Sequence, residues 1–202
     1  MARRTRDRRE TREFFAARAV GWETRYPDDV PAYAAAVGEL GLHTGDRALD
    51  AGCGTARAMP LLRAAVGPSG TVVGVDVTPE MLHEAAHLGR GADGALVEAE
   101  GGQLPLRDGA FDAVFAAGLV NHLPDPAAGL RELARVTLPG GRLALFHPLG
   151  RAALAARRGH ELEPDDVRAQ PQIGRILAAT GWELALFDDS DERYLALAVR
   201  AR

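Results

Sequence analysis

Ala48-Leu49-Asp50-Ala51-Gly52-Cys53-Gly54-Thr55-Ala56-Arg57 is the stretch that decides the fold. An apolar strand, predicted from Arg47 to Ala51, meets a glycine turn that opens a helix. A ligand can approach that turn without Cβ atoms in the way, and it meets free N–H groups at the helix start. Further on, a second predicted strand, Thr71 to Asp76, ends on an acid, where a doubly wound fold puts a carboxylate to receive two ribose hydroxyls. Strand, glycine turn, helix, strand and acid, in that order, describe a site for a nucleoside-bearing cofactor.

Details of the turn narrow the choice. A dinucleotide fingerprint needs a further glycine three positions after Gly54, and Arg57 stands there. A carboxylate at Asp50 would repel a diphosphate and suits a ligand with a positive amino group. The chain contains no lysine, so it has no Walker phosphate loop. A nicotinamide-dependent oxidoreductase is therefore the weaker reading.

Outward from this stretch the chain repeats short apolar runs, turn signals and longer helical segments, the βαβ texture of a parallel sheet. The predicted order is a helix to about Val66 and the strand Thr71 to Asp76, then a helix from Pro79 to about Leu88 with Thr78 as its N-cap. Strands follow at Ala95 to Ala99 and Ala110 to Ala117, then a helix from Pro126 to Leu138, stopped by Pro139-Gly140-Gly141. A fifth strand covers Arg142 to Phe146, a helix Gln172 to Thr180, and a closing hairpin Trp182 to Phe187 with Tyr194 to Val199. Upstream, Phe14, Phe15, Ala19 and Trp22 recur near helical spacing, and residues 31 to 41 read as a second helix. The expectation is an α/β chain in one domain over 1–202, with a helical cap over 1–41 and a seven-stranded, mostly parallel core over 42–202.

Composition excludes several classes. At 202 residues, 47% hydrophobic and 26% charged, the chain matches ordinary globular proteins and is neither fibrous nor wholly disordered. The single Cys53 excludes a disulfide framework within the chain and a thiolate-rich zinc site. No apolar run reaches the roughly 20 residues of a membrane span, so no membrane partner is expected and the cytoplasm is the expected location. A net charge of -4 argues against broad nucleic-acid binding. His83 and His87 are spaced i,i+4 on one predicted helix but have no third ligand in view, so no metal is expected.

Leu49-Asp50-Ala51-Gly52-Cys53-Gly54-Thr55 resembles motif I of the class I S-adenosylmethionine-dependent methyltransferases, with Ala56 where a third glycine is usual. Val73 to Leu82, Glu100 to Leu106, Phe111 to Phe115 with Asn121-His122-Leu123, and Leu138 to Leu143 resemble the motifs that follow. The similarity runs over roughly residues 40 to 200 and is greatest with the small-molecule branch that includes ubiquinone and menaquinone biosynthesis methyltransferases. The resemblance implies a Rossmann-like sheet of order 3-2-1-4-5-7-6 with its last strand antiparallel and helices on both faces. It implies S-adenosyl-L-methionine as cofactor and S-adenosyl-L-homocysteine as product.

Carried over residue by residue, the resemblance implies that Gly52, Cys53 and Gly54 hold the methionine part and that Asp50 organises its amino group. Asp76 would take the ribose hydroxyls, Val77 and Met81 the adenine faces, Glu100 and the Gly101 backbone the adenine edge, and Ala117 would lie beside the cofactor. The methyl Ala56 adds is tolerable if the backbone there stays helical. Phe15, Trp22, Tyr26, Asn121, His122 and His147 would shape the acceptor pocket. His122 and His147 fall at the carboxyl ends of the fourth and fifth strands, where an imidazole can take the acceptor's proton; each also reads as a structural histidine. Cys53 reads as a small buried residue, and Met81 equally as core. The partner expected is a small organic acceptor methylated at oxygen, nitrogen or carbon, with the chain a monomer or homodimer. The alternative is a non-catalytic cofactor-binding sensor or partner subunit.

Overall fold

The computed structural model describes residues 8–25, 29–163 and 165–202. Seven strands form one sheet: β1 (Arg47–Ala51), β2 (Thr71–Asp76), β3 (Ala95–Glu98), β4 (Phe111–Ala117), β5 (Thr137–His147), β6 (Trp182–Asp189) and β7 (Tyr194–Arg200). Their order is β3-β2-β1-β4-β5-β7-β6, as expected. β1 to β5 pair in parallel, and β7 runs antiparallel to both β5 and β6.

Strict alternation along the central strands divides the core in two. Leu49, Val114, Leu143 and Leu145 face α6 (Pro126–Val136) and α8 (Gln170–Ala179) through Leu130, Leu133, Ile173 and Leu177. Ala48, Phe115, Ala144 and Phe146 face the other side, against α3 (Val30–Glu39), α4 (Met59–Val66) and α5 (Pro79–His87). Helices therefore cover both faces, which is why these strands are apolar in both registers. The chain order reverses between β1 and β4, the switch point where a doubly wound sheet opens a crevice at its carboxyl ends.

The segment expected to form a cap contains α1 (Arg8–Ala16), α2 (Trp22–Arg25) and α3, of which α3 packs on the sheet through Ala36 and Val37. The apolar pattern from Phe14 to Trp22 is not one helix: α1 stops at Ala16, and Gly21 at φ 75° turns the chain into α2. Thr78 is the N-cap residue of α5, as expected, but its side chain makes no cap bond; its backbone N–H donates to Asp76 Oδ1 at 2.8 Å. One further expectation needs correction. α6 ends at Val136, and Pro139-Gly140-Gly141 lies within β5 and does not end the helix. Thr137 goes extended and pairs with Phe111, then pairing resumes at Arg142 with Ala113, so the glycines fill an irregularity in the ladder. α7 (Arg151–Arg157) follows β5.

Candidate functional site

The turn after β1 folds back over the end of β2. Gly52 N–H and Cys53 N–H both donate to the Val75 carbonyl, at 2.8 and 2.9 Å, and Gly54 N–H donates to Asp76 Oδ2 at 2.9 Å. Gly52 (φ 69°) and Gly54 (φ 55°) lie in the left-handed region that glycine adopts freely, and a Cβ at Gly52 would stand 2.9 Å from Leu119. Ala56 is also left-handed, at φ 61°, so its backbone is not helical and its methyl group is held in a strained conformation.

Two acids lie beneath this turn. Asp50 is 1% exposed and its Oδ2 has no hydrogen-bond partner. Burial, and then the charge of Asp76, push its carboxyl up to about 8, with Arg90 opposing. Asp76 is raised as well, by burial, against the N–H bonds it accepts from Thr78 and Gly54. Burial also pushes the Cys53 thiol well up, which keeps it protonated and inert.

A cavity of about 1000 Å³ opens from these acids along the carboxyl ends of β1, β2, β4 and β5. Asp50, Gly52, Cys53, Gly54, Asp76, Val77, Met81, Glu100, Gly101 and Ala117 all line it, as do Phe15, Trp22, Asn121, His122 and His147. Tyr26 lies outside the described residues. Arg8 of α1 forms an ion pair with Glu100, and Arg12 pairs with Glu98 at 3.4 Å, so α1 crosses above the β3 side of the cavity.

The far side of the cavity is aromatic. Phe15 meets Phe14, Trp22 and His122 edge to face, at ring-centre distances of 5.1, 5.7 and 5.0 Å. His122 follows β4 in a 3-10 turn (Val120–His122), with its Nε2 3.5 Å from Asn121 Nδ2. His147 ends β5, and its Nδ1 lies 3.1 Å from the Leu149 N–H and 2.9 Å from the Leu149 carbonyl. Burial lowers its imidazole to about 4; the Leu149 bond opposes this, and the charges of Arg168, Arg158 and Arg157 add to it. Near neutral pH His147 is therefore uncharged.

Sequence reasoning missed the polar junction between cap and turn. Glu23 of α2, Arg57, Arg90 and Asp29 meet there, and no local pattern in the sequence pairs them. Among the described residues no group of three or more His, Cys, Asp or Glu could hold a metal, and no helix is long and apolar enough to cross a membrane.

Residues 49–145 match the family described as Methyltransferase domain. The chain is 38% identical over 112 residues to the 27-O-demethylrifamycin SV methyltransferase of Amycolatopsis mediterranei (strain S699), a match covering 54% of this chain and 40% of that protein. It is 35% identical over 104 residues to the demethylmenaquinone methyltransferase of Staphylococcus aureus (strain JH9), covering 51% of this chain and 43% of that one. The matched stretch thus spans less than half the length of these curated relatives. The fold is similar to the crystal structure of a SAM-dependent methyltransferase from Aquifex aeolicus, with TM-score 0.68, 26% identity, and coverage of 81% of this chain and 87% of that chain.

Proposed function

This chain belongs to the class I S-adenosylmethionine-dependent methyltransferase family, and from that premise we propose that it methylates an oxygen, nitrogen or carbon atom of a small organic acceptor. The observation that carries the proposal is Asp50. A fully buried carboxyl with an unpartnered oxygen, lifted to about 8 by burial and by Asp76 against the weaker pull of Arg90, is completed by a ligand bearing an ammonium group. The neighbouring donors and acceptors fit the rest of S-adenosylmethionine. Asp76 lines the cavity beside the turn and retains acceptor capacity for a ribose diol after taking one N–H on each oxygen. Met81 and Val77 offer apolar surface for the purine, and Glu100 a carboxylate for its exocyclic amine.

When bound, the cofactor supplies a methyl group on a sulfonium. The chain's contribution is alignment: the turn and Asp50 fix one end, Asp76 the middle, and Phe15, Trp22 and Asn121 shape the space that receives the acceptor. The aromatic wall excludes water from one side of that space and offers flat apolar surface to an organic acceptor. Of the two histidines, His147 is held neutral by burial, which also weakens it as a base, and His122 is packed against Phe15.

Calorimetric titration of the purified protein with S-adenosylmethionine, S-adenosylhomocysteine and NADH tests the proposal. Micromolar binding of both sulfur nucleosides, its loss in Asp76→Ala, and no heat from NADH are expected. Absence of both sulfur nucleoside signals would overturn the reading; where they appear, acceptors are screened for methyl uptake.

A further inference from the structure

α2 is a four-residue helix with no buried residue, far below the length at which a helix holds itself together. Its polar anchor is Glu23, whose side chain is 23% exposed. Thr55 Oγ1 donates to Glu23 Oε1 at 2.6 Å, and Arg90 Nη2 donates to Glu23 Oε2 at 2.8 Å. Arg57 Nη2 lies 3.3 Å from the same oxygen, and Arg57 Nη1 donates to Asp29 Oδ2 at 3.2 Å, just ahead of α3. Arg90 closes the junction by donating through Nη1 to the Thr55 carbonyl at 2.6 Å. One carboxylate thus ties together the cap, the turn that contributes Gly52 and Gly54, and the chain after α5.

The residue before Glu23 is Trp22, which lines the cavity and meets Phe15, and Phe15 in turn meets His122. Holding α2 therefore holds the aromatic wall. We propose that Glu23 is a positioning residue that sets acceptor specificity: through Thr55, Arg57 and Arg90 it locks the Trp22–Phe15 wall to the cofactor turn. The inference rests on the methyltransferase reading for what the wall receives, but the lock itself is a property of the ligand-free protein. Removing the carboxylate leaves Arg57 with Asp29 and Arg90 with the Thr55 carbonyl, so the turn keeps partners while α2 loses its bonds to Thr55 and Arg90.

The test follows tryptophan emission in the full chain. The two tryptophans are Trp22 and Trp182, and Trp182 is a constant background, 1% exposed with its Nε1 donating to the Leu130 carbonyl. Trp22→Phe identifies the Trp22 component. In the wild type, S-adenosylhomocysteine should change Trp22 emission saturably, and iodide should quench Trp22 weakly. In Glu23→Ala, Trp22 emission should shift to the red and iodide quenching rise severalfold, while affinity for S-adenosylhomocysteine falls by less than about tenfold. Glu23→Gln, which keeps the acceptor for Thr55 but not the charge, should lie between the two.

Unchanged iodide access to Trp22 in both variants, well below their unfolding temperatures, would overturn the lock. So would an affinity loss far beyond tenfold with Trp22 unmoved, since Glu23 would then serve the cofactor and not the wall. Should Glu23→Ala fail to fold, Glu23→Gln and Arg90→Gln carry the same comparison. A wild type that binds no S-adenosylhomocysteine would sink the functional proposal alone, because iodide access in the ligand-free variants still judges the lock.

Discussion

Ala56 lies at φ 61°, fully buried, at the position where the resembled motif usually has a third glycine. A left-handed L-residue costs about 1–2 kcal/mol, while a glycine there loses about 0.4–1 kcal/mol more on folding. The first effect wins, so Ala56→Gly is expected to stabilise the protein by about 0.5–1 kcal/mol, read as a raised urea midpoint with unchanged slope. Asp50 works the other way. Its folded value of about 8 lies above the ordinary 3.8, so the folded state holds the extra proton and stability falls as pH rises between those values. Asp50→Asn should remove that fall, leaving the ligand-free protein more stable than the wild type at pH 8, and should abolish cofactor binding. Binding an ammonium beside Asp50 expels its proton, so titration calorimetry at pH 7 in two buffers of different ionisation enthalpy should show release approaching about one proton per complex. The motif named both positions, but neither the strained φ nor the missing partner can be read from residue identity. Each arises from where the chain runs before and after.

At the scale of elements, the strands and the helices α4, α5 and α6 were legible because an apolar period and a Pro at the first turn coincide locally. α2 was not, because four residues carry no period. Its stability is tertiary and electrostatic, which gives it a pH signature. Burial raises the Glu23 carboxyl, but the bonds from Arg90 and Thr55 and the charges of Arg90 and Arg57 outweigh it and hold the group at about 2. A lowered carboxyl contributes stability that is complete above its ordinary 4.5 and is lost as pH falls through 2. The stability difference between wild type and Glu23→Gln should therefore be full above pH 4.5 and close between 4.5 and 2 in urea melts at stepped pH. A gap that stays constant across that range would mean that the charge of Glu23 does not hold α2.

Across the whole molecule, the N-terminal helices and the sheet both line the large cavity, so a ligand that fills it should stabilise the folded state by mass action. At a concentration one hundred times its Kd, S-adenosylhomocysteine would add about 2.7 kcal/mol, which for a chain of this length raises Tm by roughly 5–11 °C. NADH at the same concentration should leave Tm unchanged; both are read by differential scanning fluorimetry. The amino-acid order by itself determined the βαβ succession, the glycine turn after β1, the acid ending β2 and hence the class of cofactor, because each depends on residues adjacent in the chain or one helix turn apart. Tertiary structure decided the rest. Glu23 and Arg90 are 67 residues apart in sequence yet 2.8 Å apart in the fold, and the Phe15–His122 contact joins the cap to the end of β4. Such pairings, like the burial that raises Asp50, exist only once the sheet has brought its carboxyl ends under the cap, and no local pattern encodes them.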